Sequence, residues 1–520
     1  MTSPSLVEFQ PNFAKPEDAE SSWAFDPMHF ASALPRLSQE FYRTANAEAF
    51  GLESLFVNGY LFTKDFAPPP PTQEVLERGV VNIWTEEFVP RIEQFCASIR
   101  SRDYESMSAT ELAASIPGIM TEAGKAFEYT MIVVFPFMGP TLGLVEFAEQ
   151  ALGSDGPMLI ASMLQSHANE TASAGEGMND LVELAAKHPA VAAALREERF
   201  DDLRDVPGGT DFLAALQAYL DTYGWRADDW GAVHKPTWAE SPRIPLGLLA
   251  VYLRDPDRSP GASLQRSAEL RAAAEASFAT RLDADARGQL QAMLDVARPH
   301  VMMSEGRARW QLTIVGSTRI PILALGRKLQ AAGALDDPND AFFLHSAELQ
   351  EAAARPTAQT KQLVRERKAE VAAQEALTPP PFVGAAVDLS GAPPEAQAVF
   401  RRFFGIGTPL SQDPSVVAGI AASPGVARGR ARVIRQLDES GSFEPGDVLV
   451  CTLTAPPWTP LFAIAAAVVT DTGGILSHSA ICAREFAIPC VTGTNVGTAV
   501  IPDGAVITVD GSLGTVRIES

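Results

Sequence analysis

The sequence has few cysteines, and their spacing joins none of them into a motif. Four occur in 520 residues, at Cys96, Cys451, Cys482 and Cys490, and no two stand as CxxC. Small secreted proteins that depend on disulfides carry many closely spaced cysteines, so a disulfide framework is excluded. We therefore expect a protein of the reducing cytoplasm.

Positive charge is also scarce. The chain has 41 Lys and Arg against 64 Asp and Glu, which gives a net charge of −23 and a pI near 4.8. Nucleic acids and anionic membranes bind to basic patches. We expect neither a nucleic acid nor a membrane among the partners.

Long apolar runs are missing. The uncharged stretch at residues 130–145 contains two prolines and two glycines and is shorter than the roughly 18 residues that suggest a membrane span. We interpret it as a buried helix pair or turn. The first 20 residues show no basic segment followed by an apolar one, so no secretory signal is expected.

Several motifs of enzyme sites are absent as well. There is no GxxxxGK[ST] loop and no glycine-rich strand-loop-strand run followed by lysine, so we expect no ATP site and no cofactor on this chain. The sequence has no GxSxG motif, and Cys482 and Cys490 lack a paired base, so we interpret both as small packed residues. Six histidines are scattered without HxH or HxxxH spacing, so no metal site is expected: His29, His167, His188, His234, His300 and His345.

The sequence does contain many amphipathic helical segments. LRAAAEASFATRL, QLQAMLDVARPHV and IPILALGRKLQAAG carry apolar residues at three- and four-residue spacing. The predicted fold is multidomain: a large, mostly α-helical domain over residues 1–378, a Pro- and Gly-rich linker over 379–415, and a small α/β domain over 416–520. The composition of the linker suits a semi-rigid spacer, although ordinary domain linkers share it.

One histidine lies in an informative context. In the segment Gly473 to Gly493, GGILSHSAICAREFAIPCVTG, a buried strand AAAVVT precedes two glycines, and Ser477 is placed to cap a helix. His478 then falls in the first helical turn. Unpaired N–H groups and the positive end of the helix dipole there favour a phosphate dianion on the imidazole.

Neighbouring residues suit the same chemistry. Gly473 and Gly474 lack Cβ atoms, so a partner's phosphate can approach closely. Arg484 is positioned to add a charge-assisted contact. The candidate catalytic set is therefore His478, Ser477, Arg484, Gly473 and Gly474.

This segment resembles the phosphohistidine swivelling domain of PEP-utilising enzymes, whose signature reads approximately GG-x-x-SH-x-A-x-x-ARE-x-x-IP-x-V-x-G. The matching positions are Gly473, Gly474, Ser477, His478, Ala480, Ala483, Arg484, Glu485, Ile488, Pro489, Val491 and Gly493. The resemblance implies that a nucleotide-binding module phosphorylates His478, which then passes the phosphoryl group to an acceptor. Members that make or consume PEP also have a (β/α)8 barrel of about 250 residues, and no such series of βα units is visible.

The helical part has a weaker resemblance to the substrate domain of rifampicin phosphotransferases and of related synthases that form aryl phosphates. Residues 166–185, 223–240 and 319–349 carry it. In that family an ATP-grasp domain precedes the helical and histidine domains, and only the last two are recognisable here. The resemblance therefore implies a separate ATP-grasp subunit that uses ATP and Mg²⁺.

The acceptor is expected to bind in the helical part. Aromatic residues are dense at 56–62, 135–138 and 225–238, which suits a ring-bearing hydroxyl compound, although plain core packing is the commoner explanation for any one of them. The candidate substrate-binding residues are Arg226, Lys235, Trp238, Glu240 and Arg243. Glu240, His234 and Asp229 are candidates for the base that takes the hydroxyl proton.

The sequence thus predicts the acceptor-binding and phosphohistidine subunit of a dikinase-type phosphotransferase that acts on a small phenol-like compound, as in aromatic degradation. Two alternatives remain open. One is a rifampicin-type antibiotic phosphotransferase divided over two chains. The other is a phosphocarrier in which His478 relays phosphate to another protein.

Overall fold

A computed structural model of the chain describes residues 9–25, 32–50, 53–64, 73–164, 170–225, 233–256, 259–377, 379–380, 382–385, 411–435, 439, 443–454, 458–475 and 477–519. The chain forms two compact units. The first comprises Met1–Pro136, Asp229–Pro236 and Arg307–Asp388, and the second comprises Phe137–Asp228, Thr237–Gly306 and Leu389–Ser520.

The region up to residue 375 is mostly helical, as predicted. Its α-helices are α1 Arg36–Phe50, α2 Gln73–Arg78, α3 Val80–Ile83, α4 Val89–Arg100, α5 Ala109–Ile132, α6 Val134–Leu152, α7 Gly156–Met163, α8 Glu170–Lys187, α9 Pro189–Arg196, α10 Gly209–Tyr223, α11 Arg243–Arg254, α12 Pro260–Arg281, α13 Ala284–Ala331, α14 Ser346–Ala354 and α15 Ala358–Glu375. Short 3-10 segments span Pro16–Glu20, Gly153–Asp155, Phe200–Arg204 and Pro338–Phe343, and Trp84–Phe88 is π-helical. No helix in the described ranges is long and apolar enough to cross a membrane.

The uncharged stretch at 130–145 is a pair of helices, as predicted. Helix α5 ends at Ile132, and α6 begins at Val134. The start of α5 is defined by a capping box, in which Ser108 accepts from the N–H of Glu111 and the Glu111 side chain accepts from the N–H of Ser108.

Two of the segments predicted to be amphipathic helices belong to one long helix. QLQAMLDVARPHV and all but the last two residues of IPILALGRKLQAAG lie in α13, which runs for 48 residues through Pro299 and Pro321. A proline inside a helix removes one backbone hydrogen bond and usually ends or kinks the helix, so the local pattern favoured a break that does not occur.

The first unit also contains a four-stranded sheet that the sequence analysis missed. Its order is β2-β3-β1-β4, with β1 Ser22–Phe25, β2 Ser54–Val57, β3 Tyr60–Lys64 and β4 Phe382–Gly384. Asn58 and Gly59, both at positive φ, form the two-residue turn between β2 and β3. The aromatic segment at 56–62 is therefore a hairpin that packs into the core of this sheet.

The C-terminal domain is built on an eight-stranded sheet of order β5-β12-β11-β7-β8-β9-β10-β6. Its strands are β5 Val416–Ala418, β6 Ile420–Ser423, β7 Val426–Val433, β8 Val448–Cys451, β9 Ala467–Thr470, β10 Cys490–Thr492, β11 Val506–Asp510 and β12 Thr515–Ile518, and its helices are α16 Thr459–Ile464, α17 His478–Glu485 and α18 Gly497–Val500. The predicted small α/β domain after a large helical region is thus confirmed.

The middle of this sheet positions the site. Strands β7, β8, β9 and β10 are parallel neighbours, and every residue of β8, β9 and β10 is buried. The loops that follow parallel strands meet at one edge of a sheet, which is where α/β proteins bind their ligands. The loop after β9 leads into α17, which begins at His478.

Within the second unit, the C-terminal domain packs on the helical part. Ala463 is buried in the core formed by residues of α8, α9, α10 and α11, and Phe486 packs against the same core. The predicted linker at 379–415 lies largely outside the described residues, and its described part includes β4.

Candidate functional site

Gly473 shapes the loop before α17. Its φ is +97°, a conformation that residues with a side chain rarely adopt. A Cβ on this glycine would lie 2.9 Å from both Cβ and Oγ of Ser477. The chain can therefore fold back on the start of α17 only with glycine at this position.

Ser477 caps α17, as predicted. Its Oγ accepts a hydrogen bond from the N–H of Ala480 at 3.4 Å, and its carbonyl oxygen accepts from the N–H of Ile481 at 2.9 Å. The N–H of Ser477 donates to the Gly474 carbonyl at 3.0 Å. His478 is consequently the first residue of the helix, at the positive end of its dipole.

The His478 ring lies beside the thiol of Cys482. His478 is half-buried, and Cys482 is buried. The Cys482 sulfur is 3.4 Å from Nε2 and 3.7 Å from Nδ1 of the imidazole. Cys482 was predicted only as a small packed residue, although four-residue spacing on a helix places two side chains on one face.

Two groups of buried polar residues hold the loops around α17. The Thr454 and Ser479 hydroxyls are 2.8 Å apart, which joins the loop after β8 to the first turn of α17. The Asp471 carboxylate accepts from the Thr494 hydroxyl at 3.0 Å and from the hydroxyl and the N–H of Thr498. Neither group was predicted from the sequence, although Asp471 directly follows the buried strand β9.

The Asp471 carboxyl is held in the interior. Burial raises its pKa above the ordinary value, while the hydrogen bonds from Thr498 and Thr494 act in the opposite direction. Asp471 thus connects the end of β9 to the start of α18, next to the glycine turn. It supports the loop that carries His478.

The structure corrects the role predicted for Arg484. This side chain is 1% exposed, and its Nη1 donates to the carbonyl of Ala422 at 2.6 Å. Burial lowers its pKa to about 10. Because Arg484 is six residues after His478, it lies about 9 Å further along the helix and about 240° around it. It is a buried structural residue and lies away from the end of the helix that would hold the phosphate.

The predicted acceptor residues and bases are distributed over both compact units. Arg226 and Asp229 lie outside the described residues. Trp238 is 4% exposed and belongs to the core of the second unit. Glu240 is exposed, and so is Arg243, which lies 3.4 Å from Asp201.

The first unit holds the two remaining candidates. Lys235 is half-buried there, and the Nδ1 atom of His234 is buried without a hydrogen-bond partner among the described residues. Burial, with the charges of Lys235 and Arg319 nearby, lowers the pKa of His234 well below its ordinary value. A base with so low a pKa takes protons poorly. The aromatic side chains at 135–138 lie outside the described part of the chain.

A cavity of about 610 Å³ lies within the second unit. The helical part lines it with Val145, Met158 and Leu159. The C-terminal domain contributes Ile420 and Ile475, and Ile475 belongs to the loop that leads to His478. The cavity is therefore bordered both by the helical part and by the loop that carries the candidate catalytic histidine.

Charged residues border the same cavity. Arg281 lies 3.3 Å from Asp155 and donates to the Leu152 carbonyl at 3.0 Å. Glu149 is the second carboxylate among the lining residues. Apolar walls with a few polar groups are typical of sites for small organic molecules, and the volume lies within their usual range of about 300–1,000 Å³.

Two family models match the chain. Residues 129–305 match the fourth domain of rifampicin phosphotransferase. Residues 443–514 match the mobile domain of PEP-utilising enzymes. The second match contains His478 and the glycine turn before it.

Three curated relatives illustrate the similarity. A chondramide synthase of Chondromyces crocatus is 29% identical over 99% of this chain and 14% of its own length. A rifampicin phosphotransferase of Streptomyces sviceus is 32% identical over 69% of this chain and 41% of its own length. The uncharacterized phosphotransferase YvkC of Bacillus subtilis is 30% identical over 62% and 38%. The chain thus spans less than half the length of these relatives.

Proposed function

Because the chain belongs to the family of PEP-utilising enzymes, we propose that it is the phosphohistidine and acceptor-binding subunit of a dikinase-type phosphotransferase. In this proposal a separate ATP-grasp subunit, with ATP and Mg²⁺, phosphorylates His478. His478 then transfers the phosphoryl group to the hydroxyl of a small aromatic compound.

The observation that supports this proposal most directly is the position of His478. The imidazole stands at the first residue of an eight-residue helix, after a turn that only glycine permits at position 473. The N–H groups of the first helical turn and the helix dipole stabilise negative charge on a group attached there. Half-burial leaves part of the ring open to a phosphoryl donor or acceptor.

The proposed chemistry balances in two steps. ATP and water yield AMP, inorganic phosphate and a phosphohistidine whose P–N bond is formed by a ring nitrogen of His478. That P–N bond then breaks as the acceptor oxygen forms a P–O bond and releases its proton. A phenol, with a pKa near 10, loses that proton more readily than an aliphatic alcohol, so it demands less of a base.

The cavity favours a small acceptor over a large antibiotic acceptor and over the transfer of phosphate to another protein. Its volume of about 610 Å³ and its apolar walls suit one or two rings with a hydroxyl. A large antibiotic macrocycle requires a wider opening, although the named rifampicin phosphotransferase among the relatives keeps that alternative open. A protein that only relays phosphate to another protein has no need of such a cavity.

Labelling with β-³²P-ATP tests the carrier role of His478. The chain is incubated with an ATP-grasp protein and a panel of phenols and alcohols, and both protein and products are counted. We expect His478→Ala to remove both signals, because the nucleophile is lost. The matched control is His300→Ala, at a histidine outside the site whose Nδ1 lies 2.7 Å from the Val296 carbonyl. If product still forms with His478→Ala, the proposal is wrong.

Filling the cavity tests the acceptor site separately. We expect Met158→Trp to occupy the space next to Leu159 and to reduce product formation at least about tenfold, while His478 is still labelled. The control is Met302→Trp, at a methionine that is 41% exposed outside the cavity. Normal turnover with Met158→Trp would place the acceptor elsewhere.

A further inference from the structure

The cavity in the second unit carries charge as well as apolar walls. Three ionisable residues line it: Glu149 on α6, Asp155 in the 3-10 segment after α6, and Arg281 at the end of α12. All three belong to the helical part, whereas Ile475 belongs to the loop that carries His478. Two carboxylates and one guanidinium give the lining a net charge that is negative. An acceptor whose hydroxyl faces the loop of His478 therefore presents the rest of the molecule to a wall with excess negative charge.

Arg281 is the only cation among the described residues that line the cavity. Its Nη1 lies 3.3 Å from a carboxylate oxygen of Asp155, and its Nη2 donates to the Leu152 carbonyl at 3.0 Å. An arginine held in this way has to give up an ion pair and a hydrogen bond before it can bind a carboxylate of a ligand. The lining is therefore poorly suited to an anionic acceptor.

The ends of the helices beside the cavity also affect its potential. Helix α6 ends at Leu152 and α12 ends at Arg281, and the contact between these two residues brings the carbonyl ends of both helices together. A helix C-terminus carries a partial negative charge. The start of α7 at Gly156 acts in the opposite direction, but the Asp155 carboxylate directly before it offsets that positive end. The helix ends therefore do not cancel the negative charge of the lining.

We propose that the acceptor is an aromatic hydroxyl compound that also carries a protonated amine, and that Glu149 and Asp155 select it over acceptors that carry a carboxylate. This inference rests on the proposed function for the transfer step. The charge preference itself is a property of binding to the chain, and it needs neither ATP nor a partner subunit. The two can therefore be tested separately.

Binding of three matched compounds to the full chain tests the preference. Tyramine, 4-ethylphenol and 4-hydroxyphenylacetate share a phenol ring with a two-carbon substituent, and at neutral pH they are cationic, neutral and anionic. Exposed ion pairs change an affinity by up to about fivefold each, and the same charges that attract the cation repel the anion. By isothermal titration calorimetry we expect tyramine to bind at least about fivefold more tightly than 4-hydroxyphenylacetate, with 4-ethylphenol between them. The preference should shrink in about 1 M NaCl, where the Debye length is about 3 Å.

Two variants test the carboxylates. We expect Glu149→Gln, which removes a charge without a change in size, to lower the ratio of the affinities for tyramine and 4-hydroxyphenylacetate by about two- to fivefold. Asp155→Asn should lower the ratio at least as much, because it also releases Arg281 from its ion pair. The matched control is Glu269→Gln, which makes the same change at an exposed position of α12 outside the lining. This control should leave the ratio unchanged.

Met158→Trp, which fills the cavity, shows where the compounds bind. It should weaken the binding of all three compounds, and Leu159→Trp serves the same purpose if thermal unfolding shows that Met158→Trp does not fold. Equal affinities for the three compounds, tighter binding of 4-hydroxyphenylacetate, no measurable binding of any compound, or a preference that survives the filled cavity would each overturn the inference.

The transfer reaction separates this inference from the proposed function. If tyramine is preferred in binding but His478 accepts no label from ATP and its partner, the proposed function is wrong and the preference of the cavity stands. If 4-ethylphenol is phosphorylated as efficiently as tyramine and no charge preference is found in binding, the proposed function is supported and this inference is overturned.

Discussion

At the residue scale, the site depends on positions where a single additional atom, the Cβ of any residue other than glycine, would disturb the backbone. Gly473 combines a φ of +97° with a clash that any Cβ would make against Ser477. Gly446 has a similar φ, +92°, but open space around it. Substitutions at the two glycines therefore distinguish the effect of backbone strain, which both share, from the steric contact with Ser477, which only Gly473 has.

We predict that Gly473→Ala and Gly446→Ala each lower the free energy of unfolding by about 1 kcal/mol or more, because a side chain at positive φ is strained. Only Gly473→Ala should also reduce labelling of His478, since it displaces Ser477 and the start of α17. Urea denaturation and β-³²P labelling measure the two effects. Equal labelling of the two variants would mean that the turn at Gly473 does not position the histidine.

Arg484 allows a second prediction at this scale. Replacing it with Met removes the hydrogen bond to the Ala422 carbonyl in a fully buried environment. We expect a loss of about 1–3 kcal/mol in stability, with undiminished labelling per folded molecule. If Arg484→Met is as stable as the native chain but accepts no label, the arginine contacts the phosphate after all and its structural assignment is wrong.

At the element scale, the short strands of the C-terminal sheet are held together by ion pairs as well as by burial. The Asp447 side chain is 6% exposed and contacts Nε of Arg430 at 3.0 Å and Nε of Arg432 at 3.2 Å, both on β7. It also accepts from the N–H of Glu444 at 3.1 Å. Burial raises the pKa of Asp447, but these contacts outweigh burial, and the net pKa lies below the ordinary value.

This pKa shift gives a pH-dependent prediction. A carboxyl whose pKa is lower in the folded state contributes stability above its unfolded pKa of about 3.9, and this contribution is lost as the pH falls through the folded pKa. We expect Asp447→Asn to cost about 1–3 kcal/mol at pH 7, and the difference from the native chain to shrink below pH 4.

Urea midpoints over this pH range measure the effect. Asp503→Asn is the control, because Asp503 is 57% exposed and lies 3.6 Å from Arg432, so it should cost less than about 0.5 kcal/mol. A difference for Asp447→Asn that persists unchanged at pH 3 would contradict the linkage.

Local elements were predictable where their signals were local. The cap at Ser477, the strand before it and the helix after it follow from the neighbouring residues 467–485. The hairpin β2–β3 had an equally local signal, Asn58-Gly59 between two apolar runs, which went unused. Strand β4 had none, since Val383 pairs with Trp23 across more than 350 residues of chain.

At the scale of the whole molecule, the motif revealed the histidine, but the sequence could not reveal the cavity. The cavity walls come from separate segments that include Val145, Met158, Ile420 and Ile475, and no spacing rule connects these positions. The acceptor-binding residues named from the sequence stay a prediction, and segments 233–236 and 237–243 belong to different units. Tertiary packing determines which residues come together around a cavity of this kind.

The packing of the C-terminal domain on the helices of the second unit leads to the last prediction. Phe486, directly after α17, packs against the core that contains Trp238 and Ala463. If His478 is charged by a separate subunit, this contact must open for charging and close for transfer. Removing an aromatic side chain from such a contact weakens docking by roughly 1.4–2.8 kcal/mol, which is about a ten- to hundredfold change in the ratio of docked to undocked domain.

We therefore expect Phe486→Ala to slow phosphoryl transfer from His478 to the acceptor at least about tenfold in single-turnover experiments, while charging by the ATP-grasp partner is unchanged or faster. Leu513→Ala serves as the control, because Leu513 is 75% exposed on the same domain and should alter neither step. If charging slows and transfer does not, Phe486 acts in contact with the partner. Weaker docking lowers the transfer rate only when transfer requires the docked state. An unchanged transfer rate would therefore mean that transfer occurs in a different arrangement of the domain.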